Sequence, residues 1–438
     1  MNVVLTKTET QRPASDVFAG VRDRLPGRGK AAEAREQAFA AFERAGLPHR
    51  RLEDWKYTDL RALMREVLPL AAAPDKNALE RAEAALASLP AVDAVRVVLV
   101  DGAFAPTLSN LAGMETGVRV QTLREALDDG NHADLLSNGS EPGAMIALNA
   151  AMATDGLVIT VSDRVALAKP LHIAHVATRG STASYTRSFL TIGKAAQATL
   201  LESFVAAEDT KSYQVNDVIS VSVGDDAEVQ HVRLMDDGAD ATNITTAVFS
   251  VGAKARLTTF NLTSGGILSR YQGHLTFSGE GAEVNANGVN LLNGRQHADT
   301  TLFLDHAVPH CMSREVFRSV VDDRAQSVFQ GRIIVRPHAQ KTDAKMMTRA
   351  LLLSDEAEAD NKPELEIFAD DVTCGHGATT GALDESLLFY LRARGLPEKE
   401  AEALLIQAFV GEAIEAIASD GLRELTVTIA RAWLERRG

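Results

Sequence analysis

Cysteine is nearly absent from this chain, with two in 438 residues. That argues against a disulfide scaffold and fits a reducing, cytoplasmic setting; the two could form one bridge, but nothing in the sequence asks for it. Positive charge is also in deficit. Lys and Arg number 45 against 59 Asp and Glu, for a net charge of -14. A general nucleic-acid binder needs the opposite balance, although a local basic patch remains compatible with it. No apolar run approaches the ~20 residues that cross a bilayer. The opening Met1–Thr10 has no charged segment leading into an apolar core, so no secretory signal is expected. Three signatures are missing: a GxxxxGK loop followed by Ser or Thr, a GxGxxG turn after a strand, and a GxSxG elbow. Nucleotide hydrolysis by this chain is therefore not expected.

What is present is ordinary in bulk. The apolar fraction is 45% and the charged fraction 24%, both typical of a globular protein. The length allows two or three structural units. Helical patterning dominates the N-terminal part. Ala31–Ala45 is rich in Ala, Glu and Arg and is stopped by Gly46-Leu47-Pro48, and Lys76–Ser88 is a second helical stretch. Arg96–Val100 then reads as a short strand that turns at Asp101-Gly102. Between the helices, Glu53-Asp54-Trp55-Lys56-Tyr57-Thr58 sets one of the two tryptophans among charges. An aromatic anchor that packs this part onto the next unit is the expected role. Helical patterning returns at Asp384–Arg394, which begins with acids and ends with bases. Pro397 opens a second helix and a third runs from about Leu422 to Arg437. Three short helices cannot bury their apolar faces alone, so they must pack on the β unit, on each other or on a partner.

Between Gly156 and Pro337 the periodicity changes. Apolar and polar residues alternate, punctuated by Gly, Asn and Asp. One motif recurs: strand, Gly-x-x-Ala, strand. Its glycines are Gly193, Gly224, Gly252 and Gly279, spaced by 31, 28 and 27 residues. An ordinary sandwich with similar hairpins and a solenoid with stacked coils both accommodate this chemistry. The near-regular spacing favours the solenoid. The expected fold is mainly β, a right-handed parallel β-helix flanked by N-terminal and C-terminal α-helical regions. The glycine is expected to supply a positive-φ corner. The alanine is expected to turn into the stack where nothing larger fits. The domain plan is a helical region with a short strand over 1–145, the β-helix over 146–383, and a helical domain over 384–438. A solenoid ends in open strand edges, which must be capped or paired.

Each cysteine has a histidine beside it, as His310-Cys311 and as Cys374-Gly375-His376. Thiolate and imidazole are ligands for iron and zinc and partners in nucleophilic catalysis. Residues 285–350 add His297, His306 and His338, with Asp299, Asp305, Asp322 and Asp323. No zinc spacing appears among them, and singly they are expected to be satisfied structural groups. Cys311 sits in an apolar-leaning context and is expected to be buried. Cys374 and His376 lie in a glycine-rich, loop-like stretch. If that stretch were a strand, their side chains would point to one side and could share a metal. Two ligands do not complete a site, since structural zinc and iron–sulfur sites normally use four. Other residues of this chain, or a second chain, must finish it. In the competing reading Gly375, Gly377 and Gly381 shape a turn into the helical end, with Cys374 and His376 as packing groups.

The run Lys362–Thr379, then Asp384-Glu385 and Phe389–Arg392, resembles the C-terminal signature of the SufB/SufD family of iron–sulfur cluster assembly proteins. So does the run from Gln296-His297 through Pro309–Arg314 to Gly331-Arg332-Ile333 and Gln340–Ala344. The resemblance spans about 145–418, and Glu53–Thr58 looks like the SufD branch. SufB-type chains are usually longer and tend to carry additional cysteines, which this chain lacks. The resemblance implies a non-catalytic scaffold subunit of the SUF system. It would pair with a SufB-type protein through β-helix edges and bind a SufC-type ATPase through the C-terminal helices. ATP hydrolysis would reside in that partner. A transient Fe–S cluster would be shared with the SufB-type partner, with His376 implicated and Cys374 beside it. Sulfur delivery is assigned mainly to SufB, so Cys374 is not expected to carry persulfide. No permanent cofactor is implied. A reduced flavin is linked to such complexes, but no flavin motif is visible. Other readings are a SufB-like scaffold, a homodimeric paralogue, a carbohydrate-active β-helix enzyme, and a self-contained zinc or cysteine hydrolase. The carbohydrate reading needs clustered acids and aromatics, yet aromatics are 5% of the chain.

Overall fold

The computed structural model describes residues 13–130, 132–137 and 143–437. Helices α1 (Ala14–Val21), α2 (Lys30–Ala45), α3 (Leu60–Leu63) and α4 (Lys76–Ala87) come first. They lead into β1 (Val95–Val100), β2 (Ala103–Phe104), β3 (Val118–Thr122), α5 (Leu123–Asp128) and α6 (Ala144–Met152). The strands then run without an intervening helix: β4 (Leu157–Val161), β5 (Leu171–Ala177), β6 (Ala183–Ile192), β7 (Gln197–Ala206), β8 (Gln214–Val223), β9 (Glu228–Asp236), β10 (Thr242–Val251) and β11 (Arg256–Thr263). They continue as β12 (Leu268–Phe277), β13 (Glu283–Leu292), β14 (His297–His306), β15 (Met312–Val321), β16 (Gln326–Val335), β17 (Asp343–Leu352), β18 (Glu358–Ile367) and β19 (Thr373–Gly381). Helices α7 (Glu385–Ala393), α8 (Glu398–Ile414) and α9 (Asp420–Arg437) follow.

Successive strands alternate between two sheets. Even-numbered strands from β4 to β18 form one, and odd-numbered strands from β5 to β19 form the other. Within each sheet these neighbours pair in parallel, as in β8 with β10 and β15 with β17. The result is a β-solenoid of about eight turns. Its two ends differ. At the first end, β1 pairs antiparallel with the two-residue β2, and β3 pairs antiparallel with β4. At the last end, β18 and β19 each have one neighbour, and their outer edges are unpaired.

The strands from β5 to β16 are buried nearly continuously because both faces are covered. Inward residues such as Val229, Leu257 and Val284 stack into one column of the lumen core. The outer face of the even sheet packs against α1, α2 and α6 through Tyr185, Ile244 and Leu268. The outer face of the odd sheet packs against α8 and α9 through Val232, Leu234, Phe260 and Leu262.

The repeat does mark the corners, but its glycine works differently from expectation. Gly193, Gly224, Gly252 and Gly279 are not in the positive-φ region. That conformation falls two residues later, at Ala195, Asp226, Lys254 and Gly281. The repeat glycine is needed for close approach instead. A Cβ on Gly252 would come within 2.8 Å of the Asp225 backbone nitrogen one coil away, and one on Gly279 within 2.0 Å of the Ala253 nitrogen. The alanines Ala196, Ala227, Ala255 and Ala282 are fully buried, as the stacking argument required.

Trp55 is the anchor that its setting suggested. It is buried in a short 3-10 turn, with the Arg270 guanidinium 3.8 Å above its ring. Arg270 also ion-pairs with buried Asp299 and donates to the Asp54 carbonyl oxygen at 2.6 Å. Thr58 donates to Asp299, Arg332 reaches Asp54 at 3.2 Å, and Lys362 pairs with Glu53. This segment is thereby tied to β12, β14, β16 and β18 at once.

Candidate functional site

Cys374 and His376 lie on β19, which is a strand and not a loop. The register with β17 aligns Cys374 with Ala344 and His376 with Met346. Ala344 and Met346 are buried lumen residues, so the alternation of a strand turns Cys374 and His376 to the lumen side as well. No further coil lies over them. Cys374 is half-buried and packs against the lumen core, while His376 is exposed. The glycine-rich stretch therefore does not make the turn that the competing reading required. The turn comes afterwards, where Asp384 caps α7 by accepting from the Ser386 and Leu387 backbone amides.

The surroundings limit what this pair can do. Burial pushes the Cys374 thiol above its ordinary value, and the charge that acts on it is the anion Asp343. A nucleophilic cysteine needs the reverse, a nearby cation or helix N-terminus. The Ala344 backbone amide donates toward the Cys374 sulfur and offsets part of that rise. No third His, Cys, Asp or Glu among the described residues completes a ligand set around them. One soft and one borderline donor thus stand on an unpaired strand edge, short of a complete coordination shell.

His310 and Cys311 are corner residues. His310 has a φ of 62° and occupies the same register position as Lys254 and Gly281. Cys311 follows Ala282 in the buried small-residue column, with its Sγ 3.5 Å from the carbonyl oxygens of Gly279 and Pro309. Burial raises this thiol too. The remaining candidates are held by structural partners. His297 meets Thr58 at 2.9 Å and Gln326 at 3.0 Å, and His306 stacks on Phe277 and meets Ser313 at 3.1 Å. Asp305 pairs with Arg336, Asp322 with Arg437, and Asp323 accepts from the Gly294 amide. His338 is exposed in the turn after β16.

A polar cluster inside the lumen escapes the sequence reading. Glu202, Asp217, His231 and Arg233 are almost wholly buried, with His175 beside them. Their signal is a charged residue at an apolar position of the alternation. It becomes legible once the coils are aligned, which places Glu202 opposite Arg233.

The fold and site together define a β-solenoid flanked by helices, with a thiol and an imidazole on its open last coil. Family models place it further. Residues 175–409 match "SUF system FeS cluster assembly, SufBD core domain", and residues 29–173 match "SufBD protein N-terminal region". The chain is 31% identical over 396 residues to "Iron-sulfur cluster assembly protein SufD" of Escherichia coli, covering 89% of this chain and 90% of that one. It is 33% identical over 389 residues to an "Iron-sulfur cluster assembly SufBD family protein" of Synechocystis, covering 85% and 84%. A chloroplastic protein of Arabidopsis thaliana is 25% identical over 86% of this chain. The chain belongs to the SufB/SufD family, in its SufD branch, and is a SUF-system iron–sulfur cluster assembly protein. No helix among the described residues is long and apolar enough to cross a membrane.

Proposed function

We propose that this chain is a non-catalytic scaffold subunit that pairs with a SufB-type protein through the open end of its solenoid. In this reading a nascent Fe–S cluster is cargo held across the junction, with His376 and Cys374 as one half of its ligand set. The observation that carries the proposal is the incomplete site itself. Two metal-capable side chains stand on the lumen side of the last coil, beside an unpaired strand edge, and no third ligand among the described residues joins them. A strand of a second solenoid can add to that edge and supply the missing ligands. A site divided between two chains also opens when they separate, which suits a cluster that must be handed on. ATP hydrolysis belongs, in this proposal, to a SufC-type subunit docked on the C-terminal helices.

His376→Ala is expected to leave folding and pairing intact and to lower the activity of cluster-dependent enzymes in cells by roughly tenfold. Cys374→Ala should have a smaller effect. Unchanged cluster-enzyme activity in His376→Ala would remove His376 from the site. Co-purification of the tagged chain from its native cell tests the partners separately. A sister β-helix protein and an ATPase are expected, and recovery of the chain only with itself would favour the homodimeric paralogue.

A further inference from the structure

A second donor set lies inside the stack. His175 on β5, Glu202 on β7 and Asp217 on β8 are buried, and one ligand atom from each lies within 4.8 Å of the other two. They come from both sheets, so the set closes across the lumen. Two buried atoms there have no partner: Nε2 of His175 and Oδ2 of Asp217. Buried polar atoms are rarely left so, and an unplaced ion is one reason when they are.

Everything else about the three side chains is fixed. Glu202 Oε2 meets His231 Nε2 at 2.6 Å. Thr186 Oγ1 donates to Asp217 Oδ1. The His175 ring lies flat on Phe204, with centroids 4.3 Å apart and planes within 8°. Such outer partners orient ligands in metal sites. Glu202 Oε1 stands 3.9 Å from His175 Nε2. That is too far for a hydrogen bond and close to the span of two ligands on one ion, each at about 2.0–2.2 Å.

We propose that His175, Glu202 and Asp217 bind a divalent first-row transition-metal ion within the lumen. One imidazole and two carboxylates form a nitrogen and oxygen donor set, suited to Zn2+, Fe2+ or Mn2+. Two carboxylates at this separation also repel unless a proton or a cation lies between them. Arg233 lies near enough for its charge to favour both ionised carboxylates, but its two terminal nitrogens donate to Asn261, Asn243 and Thr245 and not to the carboxylate oxygens. The set is enclosed by the coils, so the ion is taken up as they close during folding. From β7 to β19 is six strand steps along the sheet, or about 29 Å at the usual strand spacing. The lumen site is therefore separate from Cys374 and His376 and does not depend on their role.

The test uses the full chain, unfolded with chelator and refolded with Zn2+, with Mn2+, or with Fe2+ under anaerobic conditions. After dialysis, metal content is measured by elemental mass spectrometry. One ion per chain is expected with at least one of the three. His175→Gln and Asp217→Asn are each expected to weaken retention at least tenfold, and the double variant Cys374→Ala/His376→Ala to retain the ion. No retention by the unaltered chain would overturn the proposal. So would equal retention in His175→Gln and Asp217→Asn, or loss of the ion in the double variant. If the lumen variants do not fold, X-ray absorption of the cobalt-loaded unaltered chain decides. An imidazole with oxygen donors is expected, and a sulfur ligand overturns the assignment.

Discussion

Glu315 shows how a single side chain can record its position in this stack. It is buried on the lumen side of β15, where Ser313 donates to Oε1 at 3.3 Å and Oε2 has no partner. Burial pushes its carboxyl up to about 8 from an ordinary 4.5. The folded chain therefore keeps the proton over a range in which the unfolded chain has released it. The stability this gives is complete below about pH 4.5 and is lost as pH rises toward 8, at roughly 1.4 kcal/mol per unit. Glu315→Gln should match the unaltered chain near the lower pH and become progressively more stable beside it near the upper. Urea unfolding at both values measures this, and a constant offset between the two proteins would contradict it. At this scale sequence reading had mixed success. Cys374 and His376 stood out because cysteine is so rare. Glu202, Asp217 and Glu315 did not, because a carboxylate on a strand normally faces water, and only coil alignment reveals that these face inward.

Elements tell the same story through their corners. The spacing of Gly193, Gly224, Gly252 and Gly279 made the solenoid legible, since stacked coils must repeat at nearly constant length. The reason for glycine was misassigned, because a close approach between coils cannot be seen in one coil's sequence. The two roles can be separated by experiment. Gly252→Ala places a Cβ against the Asp225 backbone and is expected to cost about 1–3 kcal/mol. Gly281→Asn occupies a corner that other coils fill with Ala195, Asp226, Lys254 and His310, and asparagine tolerates that conformation. It should cost well under 1 kcal/mol by comparison. Chemical denaturation of the pair reads the difference, and equal losses would mean that contact between coils is not what selects glycine. The strand β19 was hidden for a related reason. Its three glycines argue for a loop on propensity alone, and its pairing with β17 overrides them.

Across the whole molecule, the order of helical, β and helical parts could be read from periodicity, but the docking of the helices could not. α8 and α9 cover Val232, Leu234, Phe260 and Leu262, each at most 3% exposed. Removing everything after Asp384 would bare that face, so truncation cannot test docking of an ATPase cleanly. α7 offers a better handle. It has no buried residue, and Phe389 is 74% exposed, with Leu387 and Tyr390 also open. Phe389→Ser with Tyr390→Ser should leave the melting temperature within about 1–2 °C and, if the proposed ATPase partner docks on α7, reduce its co-purification. Full recovery of that subunit would place its contact elsewhere.

The inequality of the two solenoid ends sets a limit on growth. A stack with both ends open could add chain after chain and run on as a fibre. Here one end is finished by the short β2 and the antiparallel β3, while the other offers β18 and β19. The edges left at the first end are short, two residues on β2 and five on β3, against ten on β18 and nine on β19. If edge length sets the valence, light scattering should find edge-joined assemblies that stop at two solenoids however high the concentration. The arrangement that leaves the thiol and imidazole without enough ligands is the same one that keeps an open-ended β-stack from polymerising.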